Sequence, residues 1–342
     1  MTVADAVEAP PARAGRRGIG LLVLAALLAA AVLLSVLIGS KPLAPADVWH
    51  ALFFSTGAEN DRIVWEVRLP RTLAAVVVGA ALGVAGALIQ AFTRNPLGDP
   101  GILGVNAGAS LGVAIGVAVF GTTLPVQHLG FAFAGAFIAT IVVVLVGSAG
   151  RTTDPVRLTL AGVAVGAMLA GITTAMTLLD PATFNQMRGW SAGTVVERGL
   201  DVILPAAPFI AGGLAIALVC ARALNAMGLG DDLASALGAH VGRTRILTVV
   251  AITLLAAAAT AIAGPIGFVG LMAPHIARWI TGPDQRWILP FSALIAAIVL
   301  LAADIVGRVL LWPGEVPVGI VTAFVGAPLL IWFVRRRRAS VL

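Results

Sequence analysis

Long apolar runs broken by short polar turns make up almost the whole chain. Ten runs read as membrane spans: 19–39, 71–91, 101–120, 129–149, 157–179, 203–221, 246–263, 265–280, 287–307 and 317–334. Crossing the hydrocarbon core takes about 20 apolar helical residues. The eighth run is short and carries Pro265, Pro274 and several glycines, which argue for a broken helix. Read as a secretory signal, the first run would be cut near Ala44-Pro45-Ala46. Its apolar stretch exceeds the roughly 7–15 residues of such a signal, so it is expected to stay as an anchor. The pattern predicts a short tail (1–18), a ten-helix membrane domain (19–334) and a basic tail (335–342).

Small residues recur inside these runs. Gly104, Gly108, Gly112 and Gly116 fall every fourth residue in the third; Gly79 and Gly83, and Gly162 and Gly166, repeat the spacing. Such stripes let helices approach closely and predict a tightly packed bundle without specifying chemistry.

Composition and charge fix the class and the orientation. The chain is 59% hydrophobic and 11% charged, against roughly 25% charged in a soluble domain. The net charge of +6 is not a nucleic-acid footprint, because of where the arginines fall. With both termini inside, Arg13, Arg16, Arg17, Arg94, Arg151, Arg157, Arg222, Arg243, Arg245, Arg278, Arg286 and Arg335 to Arg338 all lie inside. The positive-inside rule is obeyed. The exceptions are Lys41, Arg62, Arg68, Arg71, Arg188, Arg198 and Arg308. Arg68 and Arg71 bracket Leu69-Pro70, and Arg308 follows Asp304 by one helical turn. A local ion pair is one reading of Arg308; an outer patch for an acidic partner is the other.

A polar island, Met227 to Arg243, separates two apolar runs. Asp231 and Asp232 sit where a short helix would start, and carboxylates suit that end of the dipole. Leu233, Ala234, Ala236 and Leu237 give it an apolar face, and Gly238 can end it in the left-handed conformation. Held along the inner surface, such a helix suits contact with a soluble partner; a plain solvated loop is the alternative. Gln90 ends the second run, and Arg94-Asn95-Pro96-Leu97-Gly98-Asp99-Pro100 follows. Two prolines and a glycine forbid a continuous helix there. The segment is either a tight inner turn or the lining of a path, and Gly264 to Arg278 poses the same choice.

Several chemistries are missing from the sequence. Lys41 is the only lysine and Pro42 follows it, so no G-x-x-x-x-G-K-[ST] phosphate loop exists. There is no H-E-x-x-H. His50, His128, His240 and His275 match no metal spacing. The single cysteine, Cys220, reads as a packed small residue. Asp304 is the only carboxylate well inside a span, so no chain of acids relays protons. This disfavours a membrane-embedded enzyme and a proton-coupled transporter.

Taken together, a set of segments resembles one family. They are Arg68 to Arg71 with Gly79 to Leu82, Gln90, Arg94 to Leu97 with Leu103-Gly104, Leu160 to Val163, and Gly189-Trp190. Further on come Leu233 to Gly238, Gly264 to Arg278, Leu301 to Ile305 with Arg308, and Glu315 to Gly319 with Gly326 to Pro328. Their order and spacing resemble the FecCD-type permeases of ATP-binding-cassette (ABC) importers for iron–siderophores, haem and cobalamin, over about residues 65–333.

The resemblance implies an all-α integral membrane protein, a ten-transmembrane-helix type II ABC importer permease bundle in a bacterial cytoplasmic membrane, both termini cytoplasmic. It implies a second permease subunit, identical or not, two cytoplasmic ATPases that hold the ATP and Mg, and an extracytoplasmic binding protein. This chain would bind no cofactor or metal and hold no catalytic residue. The loop 223–245 would couple to the ATPases through Leu229, Gly230, Asp231, Asp232, Leu233, Ala234, Ala236, Leu237, Gly238 and His240. Arg68, Arg71 and Arg308 would receive glutamates of the binding protein, and Gln90, Asn95, Pro96 and Leu97 would form the inner gate. Pro155-Val156 stands where relatives can carry small hydroxyl residues on the gate's other wall. Ferric siderophore is the expected cargo. The rival reading is a secondary transporter or channel acting alone.

Overall fold

The computed structural model describes residues 12–54, 56–147 and 155–336. Arg151, Asp154, Arg337 and Arg338 lie outside them, with much of both tails. Among the described residues all regular structure is helical. In order these are α1 (Ala12–Leu37), α2 (Pro45–Phe53), α3 (Glu59–Arg62), α4 (Leu69–Thr93), α5 (Val105–Phe120), α6 (Pro125–Gly147) and α7 (Pro155–Leu179). Then follow α8 (Pro181–Ser191), α9 (Leu200–Met227), α10 (Asp231–Ala236), α11 (Val241–Ala263), α12 (Val269–Thr281), α13 (Gln285–Leu310) and α14 (Val318–Arg336). A π turn, Ile63–Arg68, joins α3 to α4, and a 3-10 turn, Pro100–Leu103, precedes α5.

Each of the ten apolar runs coincides with one helix, and α2, α3, α8 and α10 lie in the connections. Seven helical segments are long and apolar enough to cross a membrane; α5 and the apolar part of α14 are shorter. At 13 residues, α12 spans only about 20 Å, short of the hydrocarbon core of about 30 Å. Non-helical chain from Gly264 (φ 74) to Phe268 (φ 67) precedes α12, so the eighth run is broken as its prolines and glycines suggested.

The axis of the bundle is α4, buried along most of its length and packed by α13, α11 and α12. Glycine makes that possible. Gly79 and Gly83 lie on the backbone of α13 at Ala297 and Ser292, and Gly86 lies on Gly270 of α12. The same device joins α5 to α6, where Gly108 and Gly135 each meet the other's carbonyl oxygen. Two glycines of the predicted stripes act otherwise. Gly104 (φ 77) makes the turn into α5, and Gly166 faces open space.

The peripheral α1 is fastened at both ends by arginine. At the end of the bundle that carries α2, Arg68 donates to the carbonyls of Val36 (2.7 Å), Leu37 (2.8 Å) and Lys41 (2.6 Å). Arg308 donates to those of Ser35 (2.6 Å) and Ile38 (2.7 Å). The last turn of α1 has no basic residue of its own, so α13 and the approach to α4 supply the caps its terminal carbonyls need. Asp304 holds this cluster together. It takes Arg308 from one turn away on α13 and Arg71 from α4, with Nη2 at 2.7 Å and Nε at 3.1 Å. Arg71 also reaches Glu315 at 2.7 Å. At the end that carries α10, Arg17 donates to the Thr281 carbonyl at 2.7 Å and lies over the Trp287 ring.

Two outcomes follow. Gly108→Val places a side chain against backbone that cannot yield, so it is expected to lose about 1–3 kcal/mol or more of stability. Gly166→Val is expected to leave the detergent-solubilised melting temperature unchanged. Asp304→Asn removes the one carboxylate of Arg308 and one of the two of Arg71 in a buried place and is expected to destabilise by about 3–5 kcal/mol. In the same melting assay, Asp304→Asn at wild-type stability contradicts this account of the cluster.

Candidate coupling and gating site

The α10 end is built from two turns and a side-chain link. The first follows α9. Gly230 (φ 112) starts α10 and Gly238 (φ 82) ends it, with Ala239 N donating to Ala234 O at 2.9 Å. This closure spares the last carbonyls of α10, as the sequence suggested. Asp231 and Asp232 occupy its first turn, but the apolar face divides. Ala234 is buried against the chain, while Leu229, Leu233 and Leu237 are 64%, 49% and 63% exposed. Asp232, Ala236 and Gly238 are also exposed. His240 is exposed where α11 begins and accepts Thr244 N through its carbonyl.

The second turn leaves α4. Arg94 closes the helix in the left-handed conformation (φ 49). Asn95 Oδ1 accepts Leu97 N at 2.9 Å, and Asn95 O accepts Gly98 N at 3.0 Å. Asn95 and Leu97 are exposed and Pro96 half-buried. Asp99 caps the 3-10 turn through Gly101 N at 2.7 Å. Burial raises its carboxyl above the usual carboxylate range, against that hydrogen bond. The two turns meet at Asp231: Arg94 Nη2 donates to Oδ1 at 2.6 Å and Arg245 Nη2, from α11, to Oδ2 at 2.5 Å. A third link joins α9 to α13, where Asn225 Nδ2 donates to Asp284 Oδ1 at 2.7 Å.

Four sequence expectations change here. Gln90 does not line the inner mouth. It is 2% exposed, donates to Leu271 O at 3.2 Å and accepts Arg278 Nη2 at 2.6 Å, so it clips α4 to α12. Arg68, Arg71 and Arg308 form no outer patch. They are 3%, 6% and 1% exposed, because carbonyls and carboxylates within the chain take their terminal guanidinium nitrogens. The local pairing of Arg308 with Asp304 is present, but Arg71 shares the same carboxylate.

The structure also singles out residues the sequence did not. Arg94 and Arg245 had no role until the fold brought them to Asp231; the pairs lie 137 and 14 residues apart. Arg198, between α8 and α9, is 7% exposed and its Nε lacks a partner. Burial lowers its affinity for its proton. Among the described residues no group of three or more His, Cys, Asp or Glu is placed to hold a metal.

The chain is 51% identical over 317 residues to the ferric enterobactin transport system permease protein FepD of Escherichia coli (strain K12), covering 91% of this chain and 93% of that one. It is 36% identical over 306 residues to the hemin transport system permease protein HmuU of Yersinia pestis, covering 88% and 90%. A solved inward-facing metal-chelate type ABC transporter superposes with a TM-score of 0.82 at 27% identity, over 94% of this chain and 100% of that one. The model of the FecCD transport family matches residues 27–336, and the chain belongs to that family.

Proposed function

We propose that this chain is the permease subunit of an ATP-driven importer that takes up a ferric siderophore delivered by an extracytoplasmic binding protein. One observation carries the coupling half of this reading: three leucines, Leu229, Leu233 and Leu237, stand exposed on a charged turn outside the apolar runs. Burying a leucine stabilises by about 1.5–3 kcal/mol, so this patch suits a soluble partner. A cytoplasmic ATPase fits, because this chain has no phosphate-binding loop and ATP with its Mg must sit on another chain. The α10 end then faces the cytoplasm, in keeping with the positive-inside rule, in a bacterial cytoplasmic membrane.

A second permease subunit covers the apolar faces left open on α7 and α14, where Leu160, Met168 and Phe324 are 64%, 58% and 78% exposed. The path runs between the two subunits, with the exposed Asn95 and Leu97 at its inner mouth. Val156, 64% exposed at the start of α7, fits the facing wall. The binding protein docks at the α2 end, whose rim the buried arginines brace without presenting a guanidinium to it. Closure of the ATPase dimer displaces α10 and switches the bundle between two packed states. The cargo is proposed from the relatives' names, ferric enterobactin first.

Leu233→Asp is expected to weaken capture of the ATPase at least about tenfold in detergent pull-downs, the loss of about 1.4 kcal/mol or more. Wild-type capture by that variant sinks the proposed role of α10. Reconstituted alone, the chain is expected to give no sustained uptake of ferric enterobactin. Uptake that needs neither an ATPase nor ATP would instead establish a stand-alone transporter.

A further inference from the structure

We propose that Arg94 is the positioning residue that ties the Asn95–Gly98 loop to α10, so that a displacement of α10 reaches that loop through one guanidinium. The inference rests on the importer reading above.

The geometry is specific. Nη2 of Arg94 donates to Met227 O and to Asp231 Oδ1, each at 2.6 Å. Met227 ends α9 and Asp231 begins α10, so a single nitrogen grips both sides of the intervening turn. The second oxygen of Asp231 takes Arg245 of α11. One carboxylate thus gathers α10, α11 and the exit of α4. Arg94 is also the residue at which the backbone leaves α4, in a left-handed conformation uncommon for a side chain of its size. Directly after it, Asn95 fixes the loop through its side chain and its carbonyl. Four residues before it, Gln90 is held to α12. Force on Arg94 therefore meets a braced helix on one side and a short turn on the other.

The exposure of the pair matches this role. Arg94 and Asp231 keep 44% and 39% of their side-chain surface in solvent. An ion pair this exposed adds little to stability. It holds a geometry and lets go at small cost, unlike the sealed cluster around Asp304.

The test uses the complete importer in liposomes and reads ferric enterobactin taken up per ATP hydrolysed. Arg94→Ala is expected to lower that ratio at least about fivefold, the range of ordinary coupling free energies, with full assembly of the ATPase. Arg94→Lys, which keeps one charged donor, is expected to recover part of it. Asp231→Asn, which also releases Arg245, is expected to lose at least as much, and the double variant less than the product of the two single losses, because the Arg94–Asp231 contact is common to both. An unchanged ratio in Arg94→Ala overturns the proposal. So do losses that multiply in the double variant, or poor ATPase assembly in Arg94→Ala, which would mean that α10 itself had lost its shape. A wild-type complex without ATP-driven uptake overturns the importer reading and this inference together.

Discussion

Asp304 is the carboxylate on which the α2 end depends. Three guanidiniums lie within a few residues' reach of one another in a place with little water, and an unpaired ion there would cost several kcal/mol. Asp304 answers Arg71 and Arg308, and Glu315 answers Arg71 a second time. Arg68 has no carboxylate in this arrangement. Its charge faces the carbonyls of Val36, Leu37 and Lys41, the negative end of the α1 dipole. The arrangement therefore needs α1. Remove that helix and Arg68 and Arg308 lose their carbonyl acceptors there; remove Asp304 and the ionic link between α4 and α13 is lost. A peripheral span, exposed along most of its length, becomes an integral part of the bundle through its last carbonyls.

The opposite end is joined by different means. Asp231 with Arg94 and Arg245, and Asp284 with Arg286 and Asn225, are partly exposed links. Water competes for every one of them. The bundle thus has one end locked by buried charge and one held by contacts that exchange at small cost, and the second end bears the exposed leucines of α10. A transport protein that alternates between two packed states needs such an asymmetry: a fixed reference and a side that responds.

The sequence spoke most clearly where the signal is local. Apolar runs located ten helices because lipid demands continuous apolar helix. The Asp231-Asp232 start and Gly238 stop of α10 were legible because caps act within a few residues. Spacing also identified the Gly108 and Gly112 contacts. Burial of Arg68, Arg71 and Arg308 was not legible. An arginine read by itself defaults to the surface, and what buries these three are backbone carbonyls of α1 and a carboxylate 233 residues from Arg71. Gln90 misled for the same reason: a polar residue beside a broken helix suggested a lining, whereas its partners are carbonyls and an arginine of α12. Gly166 had the right spacing and no neighbour, since a stripe says only that an approach is possible.

These contrasts indicate how a push on α10 distributes itself. It can pass along α9 and α11, or across to α4. As a rigid element α4 can shift only by dragging α13 and α12, because Gly79, Gly83 and Gly86 leave no side chain between their backbones to deform, and Gln90 fastens its last turn besides. The chain just past Arg94 has no such restraint in its covalent structure: a left-handed residue, then Asn95, Pro96, Leu97 and Gly98 in a turn closed by two local hydrogen bonds. The yielding element is the loop and the stiff one is the helix, so on the proposed reading a movement of α10 is taken up by the loop before it is by α4.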